Sequence, residues 1–169
     1  HAVKAIVDAH GRIDALVNGA GLYRLNRTDD LDFRETYELL MRVNVHGVLN
    51  MTLAARAALE QSRGAIVNIA SIETFLAGSA SIGYTVSKTA VAGLTRALAA
   101  DLAPRGIRVN AVAPGIVDTP MVAHLTDDER AGARAKARIP LKRFASPDEI
   151  ANVVLFLASP AASYMVGSV

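Results

Sequence analysis

Three short, largely apolar runs, separated from one another by segments with helical periodicity, constrain the fold of this chain more than any other feature. The runs cover residues 13–17, 65–70 and 107–112. Runs of this kind are typical of strands whose two faces are both buried, so each is predicted to be a buried strand. Strands that alternate with helices form parallel sheets between helical layers. The sequence therefore predicts an α/β fold with a covered parallel sheet, organised as a single domain over residues 1–169.

Apolar residues that recur at spacings of three and four predict helices over residues 1–11, 32–60 and 82–103. In the second helix Asn44 falls on the apolar stripe, where a buried amide either bonds to neighbouring backbone groups or holds a water at a site. Gly47 nearby indicates a local bend or close packing. The third helix carries few charges, so it is predicted to be covered on more than one face.

Two further helix starts are recognisable in the last third of the chain. Thr126 and Glu129 have the spacing of a capping box, which would open a polar surface helix or mobile lid over residues 126–138. Ser146, followed by a proline and two acidic residues, is a second helix start. Residues 164–169 are expected to approach a further strand. The buried stripe of the last helix is predicted to consist of Ile150, Val153, Val154 and Leu157.

Composition excludes several classes of function. The chain has a net charge of +2 and scattered basic residues, which argues against nucleic-acid binding. It has no cysteine, which excludes disulfides and thiolate metal sites, and its four histidines lack the spacing of metal ligands. No apolar run approaches the ~18 residues of a membrane helix, and no signal peptide is recognisable. These features predict a cytoplasmic protein that binds neither membrane nor metal.

Ser71, Tyr84 and Lys88 are the strongest candidates for chemistry. Tyr84 and Lys88 are four residues apart in a predicted helix, so their side chains are expected on one face. A nearby cation favours phenolate and is expected to lower the pKa of Tyr84, so that the phenol exchanges a proton with an alcohol or ketone near neutral pH. Ser71 ends a predicted strand, and open α/β sheets bind ligands at the carboxyl ends of their strands.

A run of small residues, Asn18, Gly19, Ala20 and Gly21, follows the first predicted strand. Small residues let a ligand or a second backbone come close, but they are equally typical of a plain tight turn. This tetrapeptide alone leaves both interpretations open.

Together these motifs resemble those of the short-chain dehydrogenase/reductase family over the whole chain. Residues 18–21 are similar to its Asn-Asn-Ala-Gly motif, with glycine in the second place. Asn44 matches the family's helix asparagine and Ser71 its serine. Tyr84 and Lys88 match its Tyr-x-x-x-Lys motif, at the family's usual step of 13 residues from the serine.

The resemblance implies a Rossmann-like, doubly wound sheet in three αβα layers and a role for each matched residue. Tyr84 would be the acid/base, and Ser71 would orient the substrate oxygen. Lys88 would lower the pKa of the tyrosine and bond to the nicotinamide ribose, and Asn44 would hold a water that links Lys88 to solvent. The cofactor implied is NAD or NADP. The implied cofactor-binding residues are Asn18, Ala20, Gly21, Tyr84, Lys88, Pro114, Gly115, Val117 and Thr119.

The activity implied is hydride transfer between a nicotinamide cofactor and a small alcohol or ketone. The sequence is similar to the 3-oxoacyl-carrier-protein reductase and the sugar or polyol dehydrogenase branches, which pattern alone does not separate. Residues 116–140 are expected to cover the site, and Glu73, Thr74 and Phe75 to line it. A homo-oligomer, either dimer or tetramer, is expected.

Two parts of the family pattern are not found in these 169 residues: the glycine-rich Thr-Gly-x-x-x-Gly-x-Gly turn and the final Asp-Gly-Gly. The resemblance therefore implies that the N-terminal strands and the final tail are missing from this chain. Because a glycine turn at a helix N-terminus binds pyrophosphate, these residues alone are expected to bind dinucleotide poorly and to expose an associating sheet edge.

Two other classes of function are considered. The first is a catalytically silent fragment or non-enzymatic α/β binding domain, favoured by the absent glycine turn. The second is a serine hydrolase that uses Ser71 or Ser81, with His124 downstream. Residues 78–83, however, do not fit the Gly-x-Ser-x-Gly nucleophile elbow.

Overall fold

The computed structural model describes residues 2–78 and 81–169. Its helices and strands are α1 (Ala2–His10), β1 (Ala15–Asn18), α2 (Phe33–Met41), α3 (Gly47–Ser62), β2 (Ala65–Ile69), α4 (Ile82–Leu102), β3 (Arg108–Val112), α5 (Ala123–Thr126), α6 (Glu129–Ala137) and α7 (Pro147–Ala158).

The three strands form one parallel sheet in the order β1-β2-β3. Val67 in the central strand pairs with Val17 on one side and with Asn110 on the other. Because the strands run in the same direction, their carboxyl ends share one edge of the sheet. That edge is where an open α/β sheet of this kind binds ligands.

Helices cover both faces of the sheet. On one face Ile66 of β2 packs with Leu59 of α3 and Leu102 of α4, and on the other Val67 packs with Leu157 of α7. All five side chains are buried, and burial of each stabilises the fold by about 1.5–3 kcal/mol. The predicted three-layer α/β fold class is confirmed.

The prediction that the first strand is buried was wrong. β1 begins at Ala15, and Val17 is 46% exposed, although Asn18 is buried. Val17 shares the face of its partner Val67, but α7 on that face packs against β2 and β3. The outer strand is therefore only partly covered.

The helix predicted over residues 32–60 is interrupted by a π-helical turn, Arg42–His46, between α2 and α3. Asn44 is the buried residue of this turn, and Gly47 follows it as the first residue of α3. A bend or close packing at Gly47 stays a prediction. Single π turns inside α-helices occur frequently at functional sites because they change the direction in which a side chain points.

The helix in the polar segment does not begin with a Thr126–Glu129 capping box, so this prediction was wrong. The N-cap of α6 is Asp128, whose Oδ1 accepts hydrogen bonds from the backbone nitrogens of Arg130 and Ala131 at 2.9 and 3.0 Å. Thr126 ends α5 instead, and its hydroxyl donates to the carbonyl of Ala123. Asp128 is the N-cap instead of Thr126 because its carboxylate accepts hydrogen bonds from two amides, and because a negative charge is stabilised at a helix N-terminus.

The start of α7 is as predicted. Ser146 and Glu149 form a complete capping box, and Arg143 binds the same carboxylate, so that hydrogen bonds lower the pKa of Glu149 to about 2. The predicted buried stripe is only partly correct: Leu157 is buried, but Val153 is 44% exposed.

Two further expectations concern exposed surfaces. α4 packs against β3 and also against α2, so it is covered on more than one face as predicted, although Ile82 and Val86 are 41% and 38% exposed. The final residues do approach the sheet, because Gly167 and Ser168 exchange backbone hydrogen bonds with β3 at 2.8 Å. Within the described residues, none of the helices has the length and apolar character to cross a membrane.

Candidate active site

The ends of all three strands contribute to one polar site. Asn18 ends β1, Ser71 follows β2 by two residues, and Pro114 follows β3 by two residues. The loops after β2 and β3 are joined because the amide of Ile72 donates to the carbonyl of Pro114 at 2.9 Å. The parallel register therefore brings together residues that are far apart in the sequence.

Tyr84 and Lys88 lie on one face in the first turns of α4. Ser81 caps this helix and accepts a hydrogen bond from the Tyr84 amide at 3.2 Å, which fixes where the helix begins. Lys88 Nζ lies 5.8 Å from the centroid of the Tyr84 ring. The spacing of four residues therefore places the two side chains on one face of α4, as the sequence predicted.

Lys88 is a buried cation with a backbone partner. Its side chain is 5% exposed, and Nζ donates to the carbonyl of Ile69, at the end of β2, at 2.7 Å. Burial lowers the pKa of Lys88 to about 8. At neutral pH the amine is still mostly protonated, but it is poised much closer to neutrality than an exposed lysine.

The prediction that the pKa of Tyr84 is lowered was wrong. Burial is the main cause of a raised pKa for this phenol, and the charges of Glu73 and Tyr23 raise it further. A side-chain hydrogen bond with Ser71 acts in the opposite direction. The cost of burying a phenolate outweighs the stabilisation that its neighbours provide.

Asn44 bonds to backbone, which was one of the two roles left open for it. Its Oδ1 accepts from the Leu22 amide at 2.7 Å, and its Nδ2 donates to the Leu22 carbonyl and to Ser87 Oγ, both at 2.9 Å. The π turn thus aims this amide at the loop after β1 and at the helix that carries Tyr84. A water between Asn44 and Lys88 stays a prediction.

The small residues after β1 permit a close approach. A Cβ added to Gly21 would lie 3.4 Å from Lys88 Nζ and 3.6 Å from Asn44 Oδ1. Ala20 beside it is exposed, whereas Asn18 is buried and donates to Asn68 Oδ1 at 2.8 Å. The turn therefore lies directly over the lysine.

The loop after β3 lies at the same edge of the sheet, but none of its predicted site residues is fully buried. Gly115 is exposed, while Pro114, Val117 and Thr119 are half-buried. Thr119 Oγ1 donates to the Val117 carbonyl at 3.3 Å, and Val117 forms an isolated bridge with Ala145. That these residues contact a nicotinamide stays a prediction.

Sequence reasoning missed Asn26, which is 1% exposed and joins three elements. Its Nδ2 donates to the Phe33 carbonyl at 2.9 Å, its Oδ1 accepts from the Gly83 amide at 3.2 Å, and its carbonyl accepts from the Ile82 amide. The first turn of α4, and hence Tyr84, is positioned by these bonds. A single asparagine in a polar loop carries no pattern that would have revealed this.

Tyr23, in the same loop, also contacts the site. Its ring packs edge-to-face on Tyr84 at 5.1 Å between centroids and lies parallel to His124 at 6.5 Å. His124 therefore contacts an aromatic ring, while the Ser71 hydroxyl accepts a hydrogen bond from the Glu73 amide at 3.2 Å. This arrangement gives no support to a serine hydrolase. Ser79 and Ala80, in the proposed elbow, lie outside the described residues.

Two other features lie outside this site. A cavity of about 590 Å³ lies at the amino ends of β2 and β3 and is lined by Arg63 and Arg108 among others. The Arg108 guanidinium there donates to four backbone carbonyls around the end of α7. Among residues 2–78 and 81–169 no cluster of three or more His, Cys, Asp or Glu side chains suited to a metal was found.

A parallel α/β sheet with serine, tyrosine and lysine at its carboxyl edge defines a class of dinucleotide-dependent enzymes, and comparison with known proteins agrees. The family model described as enoyl-(acyl carrier protein) reductase matches residues 1–169. The 3-oxoacyl-[acyl-carrier-protein] reductase FabG of Thermotoga maritima is 43% identical over 171 residues. The chain belongs to the short-chain dehydrogenase/reductase family.

The relatives are longer than this chain. It aligns over 99% of its own length with 67% of the Thermotoga protein, and over 93% with 62% of the reductase of the same name from Aquifex aeolicus, at 42% identity. The chain thus spans about two thirds of the curated relatives. A solved gluconate 5-dehydrogenase of Burkholderia cenocepacia, in complex with NADP and tartrate, has a TM-score of 0.92 at 34% identity, covering 99% of this chain and 66% of its own.

Proposed function

We propose that the protein is an NAD(P)-dependent oxidoreductase that interconverts a secondary alcohol and a ketone, with Tyr84 as the acid/base. The observation that carries this proposal is the buried amine of Lys88, which lies 5.8 Å from the centroid of the Tyr84 ring, with Ser71 close enough to the phenol to oppose the rise in its pKa. A hydroxyl pair above a cation is suited to a carbonyl oxygen that gains negative charge and then a proton.

Tyr84 delivers the proton when a ketone is reduced. Because burial raises its pKa, the phenol is protonated at neutral pH and is ready to act as an acid. Ser71 hydrogen-bonds to the same substrate oxygen and holds it in line with the phenol. The phenolate that remains is stabilised by the Ser71 hydrogen bond and by the nearby cation of Lys88.

Lys88 also suits the ribose of a nicotinamide cofactor. An ammonium has three hydrogens to donate, and the contact with Ile69 uses one of them. Gly21 lies next to this amine and has no side chain, whereas a Cβ at that position would lie 3.4 Å from Lys88 Nζ. Donor chemistry and space therefore fit a pair of ribose hydroxyls.

When bound, a nicotinamide cofactor supplies or accepts the hydride. The residues proposed to hold it are Asn18, Ala20, Gly21, Tyr84, Lys88, Pro114, Gly115, Val117 and Thr119. A neighbour solved with NADP supports a nicotinamide cofactor, and NAD and NADP both remain candidates.

The substrate proposed is a small alcohol or ketone. The relatives' names include hydroxysteroids and an aldohexose, and two classes match the branches that the sequence resembles, 3-oxoacyl groups and gluconate-type sugars. The homo-oligomer, the cytoplasmic location and the single domain remain predictions.

The first experiment measures binding of NADH and NADPH to the purified protein, and then their oxidation in the presence of methyl acetoacetate and a panel of sugar ketones. Tyr84→Phe is the critical variant, because it keeps the ring and removes only the hydroxyl group that carries the proton. We expect turnover to fall by about 10²–10⁴-fold, with the cofactor still bound and the circular dichroism spectrum unchanged.

Each other result has a distinct meaning. Cofactor binding without turnover of any ketone favours the non-enzymatic binding domain. Wild-type activity in the Tyr84→Phe variant would show that the proton comes from another group. Failure of a folded protein to bind either cofactor would agree with the poor binding expected without the glycine-rich turn, and would favour the catalytically silent fragment over the proposed function.

A further inference from the structure

Glu73 places a carboxylate beside the candidate site, and no role in the reaction accounts for it. It lies two residues after Ser71, in the short 3-10 turn Ile72–Thr74, and is half-buried. Its Oε2 accepts a hydrogen bond from Thr85 Oγ1 at 2.8 Å and another from the Gly78 amide at 3.3 Å. Thr85 directly follows Tyr84 in α4.

These bonds hold the carboxylate in place. A second bond between the same turn and the same helix runs from Thr74 Oγ1 to the Lys88 carbonyl at 3.1 Å. The turn is thus attached to α4 at two points, at Thr85, which follows Tyr84, and at the carbonyl of Lys88. A glutamate on an unattached loop would turn into solvent, whereas Glu73 presents a fixed charge to the site.

The carboxylate of Glu73 lies near the phenols that border the site, because it is bonded to Thr85, the neighbour of Tyr84 in α4. After burial, Glu73 is the strongest cause of the raised pKa of Tyr23, with Arg27 opposing it, and it also raises the pKa of Tyr84. The nearby cation, Lys88, is directed at the carbonyl of Ile69. The negative charge of Glu73 therefore raises the pKa of both phenols that border the site.

We propose that Glu73 is a specificity-determining residue, which selects neutral substrates over substrates that carry a carboxylate close to the reacting carbonyl. This inference rests on the proposed function. Two negative charges within about 10 Å repel each other strongly where solvent screening is incomplete. A second anion in the site would meet a carboxylate that Thr85 and Gly78 prevent from turning away.

The proposal separates the two substrate classes that the relatives' names suggest. A 3-oxoacyl ester or thioester has a neutral group next to the reacting ketone, and Glu73 does not oppose it. A gluconate-type substrate carries a carboxylate, and Glu73 disfavours it. The structure thus favours the first class through a residue outside the family motifs.

The test compares methyl acetoacetate with acetoacetate, two molecules with the same reacting ketone that differ in charge. The measured quantity is the ratio of kcat/KM for the ester to kcat/KM for the acid, with saturating cofactor. We expect Glu73→Gln to lower this ratio about five- to tenfold, because the amide keeps an oxygen for Thr85 and loses only the charge.

Asp101→Asn is the matched control. It removes one carboxylate from the far end of the same helix, 17 residues or about 25 Å from Tyr84. At that distance the charge is screened, so the ratio is expected to stay at the wild-type value.

A salt series on the wild-type protein gives a second readout that needs no variant. Raising the ionic strength from about 0.05 to 0.5 M should shrink the preference for the ester, because salt screens the repulsion. An unchanged ratio in Glu73→Gln, or equal losses with both substrates, overturns the proposal and assigns Glu73 to holding the loop alone. A wild-type ratio that salt does not move also contradicts it. Absence of all ketone turnover in the wild type contradicts the oxidoreductase function itself, which is a separate result.

Discussion

Two regions border the candidate site and are built in opposite ways. The inner wall, which consists of Asn44, Ser71, Tyr84 and Lys88, lies on or against α4, and three of its four side chains are less than 9% exposed. The outer segment, residues 119–143, carries mostly exposed side chains and contains the short helices α5 and α6. The inner wall is hydrogen-bonded to several elements of the body, whereas the outer segment joins the body at its ends and where His124 lies parallel to the Tyr23 ring.

The difference follows from what each region must satisfy. Buried polar groups need partners, so the inner wall is bonded to the loop after β1, to β2 and to α4. The outer segment is stabilised by its own caps and returns to the body at the bridge between Val117 and Ala145. Substitutions in the inner wall should therefore lower the stability of the whole fold, whereas substitutions in the outer segment should lower the stability of that segment alone.

Asn44→Ala is expected to have the largest effect on stability. It leaves both backbone groups of Leu22 and the hydroxyl of Ser87 without this partner, at a cost of about 3 kcal/mol in the free energy of unfolding. Urea denaturation followed by circular dichroism measures this change. Asn50→Ala, an exposed asparagine in α3, is the control and should change stability by less than about 0.5 kcal/mol. Equal effects of the two substitutions would contradict the inner wall as described.

Two glycines of α4 give the next comparison. A Cβ at Gly83 would lie 2.8 Å from Leu40 Cδ1 and 3.0 Å from Asn26 Oδ1, so Gly83→Ala should destabilise the protein by about 2 kcal/mol and displace Tyr84. At Gly93 nothing lies within 4 Å of an added Cβ, and Gly93→Ala should stabilise the helix by about 0.5–1 kcal/mol. Thermal unfolding of both variants measures these changes in stability. A change of the same sign in both variants would contradict the close packing of Gly83 against Leu40 and Asn26.

Asp128→Ala should have the smallest global effect, because it acts on the outer segment. Loss of this cap costs α6 about 1 kcal/mol locally. Amide hydrogen exchange over residues 129–137 should accelerate about fivefold while the urea midpoint stays within error. Asp127→Ala is the control, since that aspartate closes α5 through its backbone amide, and its side chain only lies 3.4 Å from Thr126 Oγ1. A large shift of the urea midpoint would show that the outer segment unfolds together with the body.

Some of the fold and site could be predicted from the sequence because the signals are local. The period of the apolar residues placed the strands and helices, and the spacing of four placed Tyr84 and Lys88 on one face. The helix start at Ser146 is likewise contained within four residues, and the structure has it where the sequence predicted it, with a capping box that was not predicted. Thr126 shows the limit of such local rules, because Asp128 was a stronger cap two residues later.

Other features depend on groups that are distant in sequence. Asn44 meets Leu22 and Ser87, which are 22 and 43 residues away, and Asn26 meets Gly83 across 57 residues. The pKa of Tyr84 has the same origin, since the pattern revealed the neighbouring lysine but not the burial that outweighs it.

The sequence by itself therefore determined the elements, their parallel arrangement and the residue types that carry the proposed chemistry, because these follow from short-range periodicity and spacing. Only the tertiary structure decided which loops the side-chain amides of Asn44 and Asn26 bind and how deeply Tyr84 and Lys88 are buried. It also decided where the carboxylate of Glu73 lies. Those properties depend on the distances between side chains from different elements, and no local pattern specifies such distances.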